Sequence, residues 1–165
     1  MKKQSRLVTL FVLALLALVL SISAAFASAA PQPVNFGQDA NKMQWYLVNY
    51  GKNDDGHFAC TRKYYTNPEE KKKTIDLIVE KFAIDQETAS GLYFTEYGYV
   101  YSADGKDFAV TYVNHYDMVG NVIKSTEYDA AGREFIKMSK EMIPFKAHPY
   151  ATGKLPAKKP APKKK

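Results

Sequence analysis

Aromatic and β-branched residues that alternate with polar residues dominate the middle of the chain, and this pattern predicts β-strands. In residues 92–101, four tyrosines occupy odd-numbered positions: Tyr93, Tyr97, Tyr99 and Tyr101. Because successive side chains of a strand point to opposite faces, this spacing places the four rings on one face. Comparable segments occupy residues 43–50, 57–65, 108–116, 121–128 and 133–138. Turn-forming residues separate them, so the pattern predicts a mostly antiparallel β-sheet.

Short turns rich in Asp and Gly join the later segments into a meander. The motif Tyr-Asp-x-x-Gly begins at Tyr116 and again at Tyr128. The Asp side chain opens such a turn by accepting a backbone hydrogen bond, and the Gly adopts a positive φ. The motif resembles the YD repeat of large bacterial shell-forming toxins, but two copies are too few for a solenoid. We therefore interpret both copies as ordinary hairpin turns, and residues 51–56 as a longer loop in the first hairpin.

Residues 67–83 carry conflicting signals. The sequence Asn-Pro-Glu-Glu at residues 67–70 is typical of a helix start, with Asn as the N-cap and Pro at the first helical position. Apolar side chains then recur at helical spacing, at Ile75, Ile78, Val79 and Phe82. The odd-numbered positions from 75 to 79 are also apolar, which is the spacing of a strand. Periodicity favours the helix and the β-branched residues favour a strand, so both alternatives stay open.

Residues 1–29 have the three parts of a bacterial-type secretory signal peptide. Two lysines and one arginine lie within the first six residues, and residues 7–22 carry no charge and are mostly Leu, Val, Ala and Phe. Small residues follow, and cleavage after Ala27 or Ala29 fits best. An uncleaved membrane anchor is the alternative, since the apolar run approaches the length that spans a bilayer. We expect an exported protein, located in the periplasm, in the cell envelope or outside the cell, with no stable membrane span after cleavage.

The formal net charge of +6 comes from the two ends of the chain. Residues 1–29 contribute three positive charges, and the tail at residues 151–165 contributes six lysines and no acid, so residues 30–150 carry a net charge of −3. Binding to nucleic acid is therefore not expected. After the signal peptide we expect an extended leader at residues 30–42, which contains two prolines, and a single β-rich domain at residues 43–150.

The tail at residues 151–165 is predicted to be disordered, because Lys, Pro and Ala dominate it and leave few side chains to bury. Its lysines are the candidate binding residues for an anionic surface: Lys154, Lys158, Lys159, Lys163, Lys164 and Lys165. Each lysine near such a polymer or lipid surface contributes about 1 kcal/mol. The alternative is a solvated end that only keeps the protein soluble.

No motif in the sequence specifies a catalytic, cofactor or metal site. His57, His115 and His148 are far apart and have no further ligands at metal-site spacing. The Asp-Asp-Gly sequence at residues 54–56 is interpreted as a turn, because the remaining ligands of a calcium loop are missing. Cys60 lies in a strand-like run, and we expect a buried side chain; an intermolecular disulfide or a reactive thiol is the alternative.

Three segments of the chain together carry a resemblance to a known family. A Trp-led strand at residues 45–48 precedes an aromatic strand at residues 58–65, and the sequence His-Tyr-Asp-x-x-Gly-Asn-Val-Ile-x-Ser follows at residues 115–125. In this order, the segments resemble the exported bacterial domains related to surface-adhesin protein E. The resemblance covers about residues 45–125. It implies an α+β fold, an antiparallel sheet of about six strands with one or two helices, and a cell-envelope or surface location.

The resemblance also bears on two uncertain segments. It implies a strand at residues 74–83, which decides the conflict described above in favour of the strand. The family's usual paired cysteines are absent, since Cys60 is the only cysteine. The helix that the family has near its C-terminus is in doubt in this chain, because Pro144 and Pro149 interrupt the segment.

Together these features favour a non-enzymatic envelope protein that binds an unidentified protein or envelope polymer through exposed tyrosines or the lysine tail. Tyrosine provides a large contact area at a low entropic cost. No cofactor is expected. Two alternatives remain: a periplasmic enzyme or inhibitor with an unrecognised site, and a structural protein that assembles into a homo-oligomer.

Overall fold

Seven antiparallel strands form one sheet in residues 32–155, the part of the chain that the computed structural model describes. The strands are β1 Val34–Gln38, β2 Gln44–Asn53, β3 Gly56–Tyr64, β4 Leu92–Tyr101, β5 Asp107–Asp117, β6 Val122–Glu127 and β7 Ile136–Lys137. The helices are α1 Pro68–Phe82, α2 Gln86–Ser90 and α3 Ile143–Ala151. The first six strands lie side by side in sequence order, and β7 pairs with the start of β5. The predicted α+β fold with a mostly antiparallel meander is therefore confirmed.

Two predicted segments lie outside the described residues. One is the signal peptide predicted at residues 1–29, and the other contains five tail lysines: Lys158, Lys159, Lys163, Lys164 and Lys165. Lys154 is described, and it is exposed shortly after the end of α3. Between residues 32 and 155, the structure contains no helix that is long and apolar enough to cross a membrane.

The leader predicted at residues 30–42 contains a strand of the sheet, which corrects that prediction. β1 pairs with β2, and Val34 lies opposite Leu47. The pairing is irregular at Gly37, whose φ of 78° suits glycine. The Asn35 side chain accepts the Gly37 N–H at 2.7 Å. Pro and Gly are unfavourable in strands, so the sequence of this segment does not indicate one. The strand forms because it pairs with β2 in the tertiary structure.

The first hairpin is tighter than predicted. Asn53 pairs with Gly56, so only Asp54 and Asp55 connect β2 to β3. Gly56 has a φ of 118°, which lets the chain reverse its direction within so few residues. Most of the loop predicted at residues 51–56 therefore belongs to the two strands.

The two Tyr-Asp-x-x-Gly motifs fold differently. In the first, Asp117 accepts the Asn121 N–H at 2.8 Å and Gly120 has a φ of 92°, as predicted for a hairpin turn. In the second, Gly132 does not have a positive φ. The strand predicted at residues 133–138 is reduced to the two residues of β7. The motif therefore encodes a local turn and not a structural repeat.

Residues 74–83 lie almost wholly in α1, so the prediction of a strand there was wrong. The Asn67 side chain caps the helix by accepting the Glu69 N–H at 3.0 Å. Ile78 is fully buried and packs with Ala89 of α2. The helical spacing of the apolar residues therefore indicated the right structure, and the family resemblance indicated the wrong one.

The C-terminal helix that was in doubt is present as α3. Pro144 lies in the first turn, where the missing N–H has no helical partner to lose. Pro149 lies inside the helix and removes one backbone hydrogen bond. Buried Ala147 and Ala151 pack on the sheet, and the Tyr101 hydroxyl donates to the Pro144 carbonyl at 2.9 Å. These tertiary contacts offset the unfavourable effect of Pro149.

The helices pack on one face of the sheet. On this helix-covered face, Leu47, Tyr99 and Phe108 are buried with Ala147 and Ala151 of α3. Within the described residues, no helix residue lines the grooves on the opposite face. We call the opposite face the open face.

A bulge near the start of β4 separates Tyr93 from the other tyrosines of that strand. The register against β5 shifts between Leu92 and Phe94. The Tyr93 ring consequently contacts the rings of Phe94 and Tyr64, whereas Tyr99 is buried under α3. The prediction that four tyrosines share one face is therefore wrong for Tyr93.

Candidate binding surface on the open face

Four aromatic side chains cross the open face from β2 to β5, and we call them the aromatic row: Tyr46, Tyr64, Phe94 and Tyr116. The register places Phe94 opposite both Tyr64 and Tyr116. Successive ring centroids are 5.6, 5.4 and 4.7 Å apart. Neighbouring strands lie about 4.8 Å apart, so the spacing of the rings follows from the sheet itself.

The rings of the aromatic row do not all offer free surface. Phe94 is only 9% exposed and stacks on Tyr116 with 15° between the ring planes, so these two rings bury each other. Tyr64 meets the rings of Tyr46 and Tyr93 edge to face, at 87° and 81°. Tyr93 is 45% exposed. The accessible aromatic surface therefore lies at the Tyr46 end of the row, where Tyr93 packs beside Tyr64.

An open groove of about 430 Å³ lies at this end of the row, and we call it the tyrosine groove. Residues of β2 and β3 and of three neighbouring positions line it: Pro33, Gln44, Tyr46, Val48, Arg62, Tyr64, Thr66 and Tyr93. Apolar and aromatic groups form most of the wall, while Gln44, Arg62 and Thr66 add hydrogen-bonding groups. Such a combination of volume, apolar walls and a few polar groups is typical of binding sites.

A larger hollow of about 680 Å³ lies beside the loop that follows β6, but its chemistry makes it a poorer candidate. Most of its side chains are polar, and several of them already have partners. Asp129 accepts the Gly132 N–H at 2.7 Å, and Arg133 forms an ion pair with Asp55 at 2.9 Å. The tyrosine groove offers more apolar surface for a ligand to cover.

A paired charge lies beside the tyrosine groove. Arg62 Nε donates to Glu96 Oε2 at 2.7 Å, and the guanidinium carbon lies 4.9 Å from the centroid of the Phe94 ring. Burial is the largest single influence on the pKa of Arg62 and lowers it, but the hydrogen bond and charge of Glu96, together with Tyr64, outweigh burial, so the net shift is upward. The Glu96 side chain is only 12% exposed. The pair therefore brings hydrogen-bonding groups to the groove without adding a net charge.

The same glutamate connects to Cys60 through Tyr112. The Tyr112 hydroxyl lies 3.0 Å from Cys60 Sγ and 3.2 Å from Glu96 Oε1. Burial is the main cause that raises the pKa of the Cys60 thiol to about 12. The prediction that Cys60 is buried is confirmed. Because the thiolate is the nucleophilic form of cysteine, this protonated thiol is unsuited to nucleophilic chemistry.

The three histidines occupy separate places in the fold. His57 Nδ1 lies 2.9 Å from the carbonyl oxygen of Ala151, at the end of α3. The His148 ring packs on Tyr101, with 4.9 Å between the centroids, and His115 is buried on the helix-covered face. In the described part of the chain, no group of three or more His, Cys, Asp or Glu side chains is arranged to hold a metal ion.

Sequence reasoning identified the tyrosines but not their arrangement. It placed Tyr93 on the same face as the other tyrosines of its strand, which is wrong, and it did not identify Tyr46 or Arg62 as site residues. Alternation within β3 and β4 indicates which side chains share a face, but only the register between strands brings Tyr64 beside Phe94. Lys154 is the tail lysine that the structure describes, and it was predicted to bind anionic surfaces. It is exposed and does not line the groove.

In comparisons with known proteins, no family model, no curated protein and no solved structure matches the chain. The resemblance of residues 45–125 to domains related to surface-adhesin protein E therefore stays a prediction. The candidate site is supported by its own geometry.

Proposed function

We propose that this protein is an exported, non-enzymatic binding protein of the cell envelope, and that its tyrosine groove holds an uncharged glycan chain. The observation that carries the proposal is the groove itself, at the accessible end of the aromatic row on the open face. Export is supported by the signal-peptide pattern of residues 1–29.

The side chains of the groove suit a sugar. A pyranose ring has apolar C–H faces, which pack on aromatic rings, and hydroxyl groups at its rim, which need hydrogen-bond partners. Tyr46, Tyr64 and Tyr93 provide ring surface in two orientations. Gln44 and Thr66 provide acceptor oxygens, since the Gln44 amide group donates to Asn35 and the Thr66 hydroxyl donates to the Lys42 carbonyl. An extended glycan can place successive sugars along an open groove.

The charge of the groove favours an uncharged polymer over a polyanion. Arg62 is the lining residue that carries a charge, and Glu96 contacts it at 2.7 Å. The pair therefore supplies directional hydrogen bonds with no net attraction for phosphate-rich chains. A polyanion-binding groove would instead carry several uncompensated lysines or arginines.

The nearest sheet edge is poorly suited to a peptide partner, which argues for a ligand that binds the face. A peptide that extends a sheet needs free backbone groups along a regular edge strand. In β1, the register is broken near Gly37, and Asn35 already accepts the Gly37 N–H. Irregular edge strands of this kind hinder strand addition.

Calorimetric titration with a soluble chito-oligosaccharide, an uncharged β-linked glycan, tests the proposal. The protein used lacks residues 1–29 and keeps the whole described fold. Tyr93→Ala removes an exposed wall of the groove, and we expect Kd to rise about tenfold, which corresponds to about 1.4 kcal/mol. Tyr128→Ala is the matched control, because Tyr128 is 40% exposed and Tyr93 is 45% exposed, yet Tyr128 lies outside the groove.

Two results would contradict the proposal. One is an intact protein that binds no glycan but retains a protein from the envelope fraction, since the ligand would then be of another class. The other is a Tyr93→Ala variant that binds the glycan as tightly as the Tyr128→Ala control.

The lysine tail is proposed as a second, salt-sensitive contact with anionic envelope material. Deletion of residues 156–165 removes five lysines and leaves α3 intact, whereas a deletion from Ala151 would remove a buried residue of the core. We expect the shorter protein to lose the salt-dependent part of its binding to anionic vesicles. Equal salt dependence in both proteins would refute the role of the tail.

A further inference from the structure

A second cluster of polar and aromatic side chains lies on the helix-covered face, away from the tyrosine groove. The sheet register places Lys63 of β3 opposite Thr95 of β4, and Thr95 opposite His115 of β5. Tyr65 and Tyr97 flank this cross-strand row. We call these five residues the lysine cluster.

Hydrogen bonds fix the deep part of the lysine cluster. The hydroxyl oxygens of Tyr65 and Thr95 are 2.7 Å apart, and the Thr95 hydroxyl oxygen lies 2.8 Å from His115 Nδ1. Thr95 and His115 are buried. Burial, together with the nearby Lys63 charge, lowers the pKa of His115 to about 4, so this imidazole is neutral near pH 7.

Aromatic rings hold the ammonium group of Lys63. Lys63 Nζ lies 4.8 Å from the centroid of the Tyr65 ring and 5.7 Å from that of Tyr97. Both distances are within the range of a cation–π contact. Burial lowers the pKa of Lys63, but its contacts with the two tyrosines raise it by more, so the group stays charged.

The charge of Lys63 has no carboxylate partner among residues 32–155. Carboxylates there pair with other cations: Arg62, Lys72, Lys73, Lys106 and Arg133. A partly buried ammonium without a counter-charge is unusual, because desolvation of a charge is costly. The surrounding tyrosines stabilise the cation but do not neutralise it. An anion bound at Lys63 would neutralise this charge.

The outer part of the lysine cluster is partly exposed. Lys63, Tyr65 and Tyr97 are all partly exposed, in contrast to the buried Thr95 and His115 beneath them. Tyr65 packs both against the core cluster that contains Ile143 of α3 and against the one that contains Ile78 of α1. The lysine cluster therefore lies where the two helical parts of this face meet.

We infer that the lysine cluster binds a small anionic group, a carboxylate or a phosphate, through the Lys63 ammonium and the hydroxyls of Tyr65 and Tyr97. Charge-assisted hydrogen bonds of this kind are about twice as strong as bonds between neutral groups. A lysine ammonium acts as a compact point charge, which suits either anion. This site is on the opposite face from the tyrosine groove and does not depend on the proposed function.

Thermal unfolding in the presence of inorganic phosphate or acetate tests the inference, with ionic strength held constant by sodium chloride. The protein again lacks residues 1–29. We expect one of the two anions to raise Tm in a saturable way, by about 4 °C at about five times its Kd. Comparison of the two anions distinguishes a phosphate site from a carboxylate site.

Variants assign the effect to Lys63. In Lys63→Gln, the anion-dependent rise in Tm is expected to disappear, whereas Lys72→Gln changes an exposed lysine of an ion pair and should keep the rise. Tyr97→Phe retains the ring and removes one hydroxyl, so it tests the site even if Lys63→Gln does not fold; we expect about tenfold weaker binding. The inference is overturned if neither anion gives a saturable rise, or if the tested Lys63 or Tyr97 variant responds like the wild type.

Discussion

Acidification is expected to destabilise the fold through His115, and the size of the effect follows from the surroundings of this residue. The imidazole is only 6% exposed, and its Nδ1 lies 2.8 Å from the Thr95 hydroxyl oxygen. Burial and, to a lesser extent, the charge of Lys63 lower the His115 pKa from 6.5 to about 4. The folded protein therefore keeps this side chain neutral at pH values where the unfolded chain protonates it.

The sign of the effect follows from proton binding. Between pH 6.5 and about pH 4, the unfolded state binds more protons at His115 than the folded state, so stability falls as the pH falls. Below about pH 4 both states are protonated there, and this contribution becomes constant. At about 1.4 kcal/mol per pH unit, the whole interval corresponds to about 3 kcal/mol of unfolding free energy.

Comparison with His115→Gln isolates this contribution, because glutamine does not titrate and still offers a hydrogen-bonding group to Thr95. Urea unfolding at pH 7, 5.5 and 4, followed by Trp45 fluorescence, gives the unfolding free energies. We expect the advantage of the wild type over the variant to shrink by about 3 kcal/mol from pH 7 to pH 4. Groups such as Asp117 and His148, whose pKa values are also lowered, are common to both proteins. Parallel pH curves for the two proteins would show that His115 does not cause this loss of stability.

Three further predictions concern the core and the open face. Ile78→Ala should lower the unfolding free energy by about 2–5 kcal/mol in urea titrations, because Ile78 is fully buried; Leu77→Ala, at a position that is 41% exposed, should change it by less than about 1 kcal/mol. Gly98→Ala should destabilise by about 1–3 kcal/mol, since its Cβ would clash with the Tyr112 ring and the Thr111 hydroxyl; wild-type stability in that variant would contradict the packing. Cys60 should react with a thiol reagent at pH 8 only after unfolding, because burial raises its pKa to about 12; rapid labelling of the folded protein would refute this.

The strands were easiest to predict where alternation is strong and both ends carry turn signals. β4 spans Leu92–Tyr101, the segment that the sequence pattern indicated. β1 was missed because Pro33 and Gly37 interrupt its pattern, and its pairing with β2 is visible only in three dimensions. A bulge at Tyr93 separates this ring from the other tyrosines of β4. Bulges are difficult to predict from hydrophobic periodicity, because they insert a single residue into a strand.

The α1 segment shows that local physical signals outweighed the family resemblance. Asn67 caps the helix, Pro68 starts it, and Ile78 is buried. The sequence already displayed the Asn-Pro start and the helical spacing of the apolar residues. The resemblance suggested a strand and was wrong at this position. For α3, in contrast, local signals were unfavourable because of Pro149, and packing of Ala147 on the sheet decided the outcome.

The candidate sites could be predicted less well than the fold, because both depend on register. Tyr64 and Tyr93 are 29 positions apart, and Lys63 and His115 are 52 positions apart. Their proximity arises from strand pairing, which the composition of a single strand does not determine. Sequence reasoning therefore predicted a tyrosine-rich binding protein without identifying the tyrosine groove or the lysine cluster.

An NMR titration of isotope-labelled protein, lacking residues 1–29, with a soluble chito-oligosaccharide shows directly whether the tyrosine groove binds a glycan. The proposed function predicts saturable amide shifts at Tyr46, Tyr64 and Tyr93, with little change at Tyr99 on the helix-covered face. Shifts confined to the helix-covered face, or no saturable shift at all, would contradict the assignment of the tyrosine groove as a glycan site.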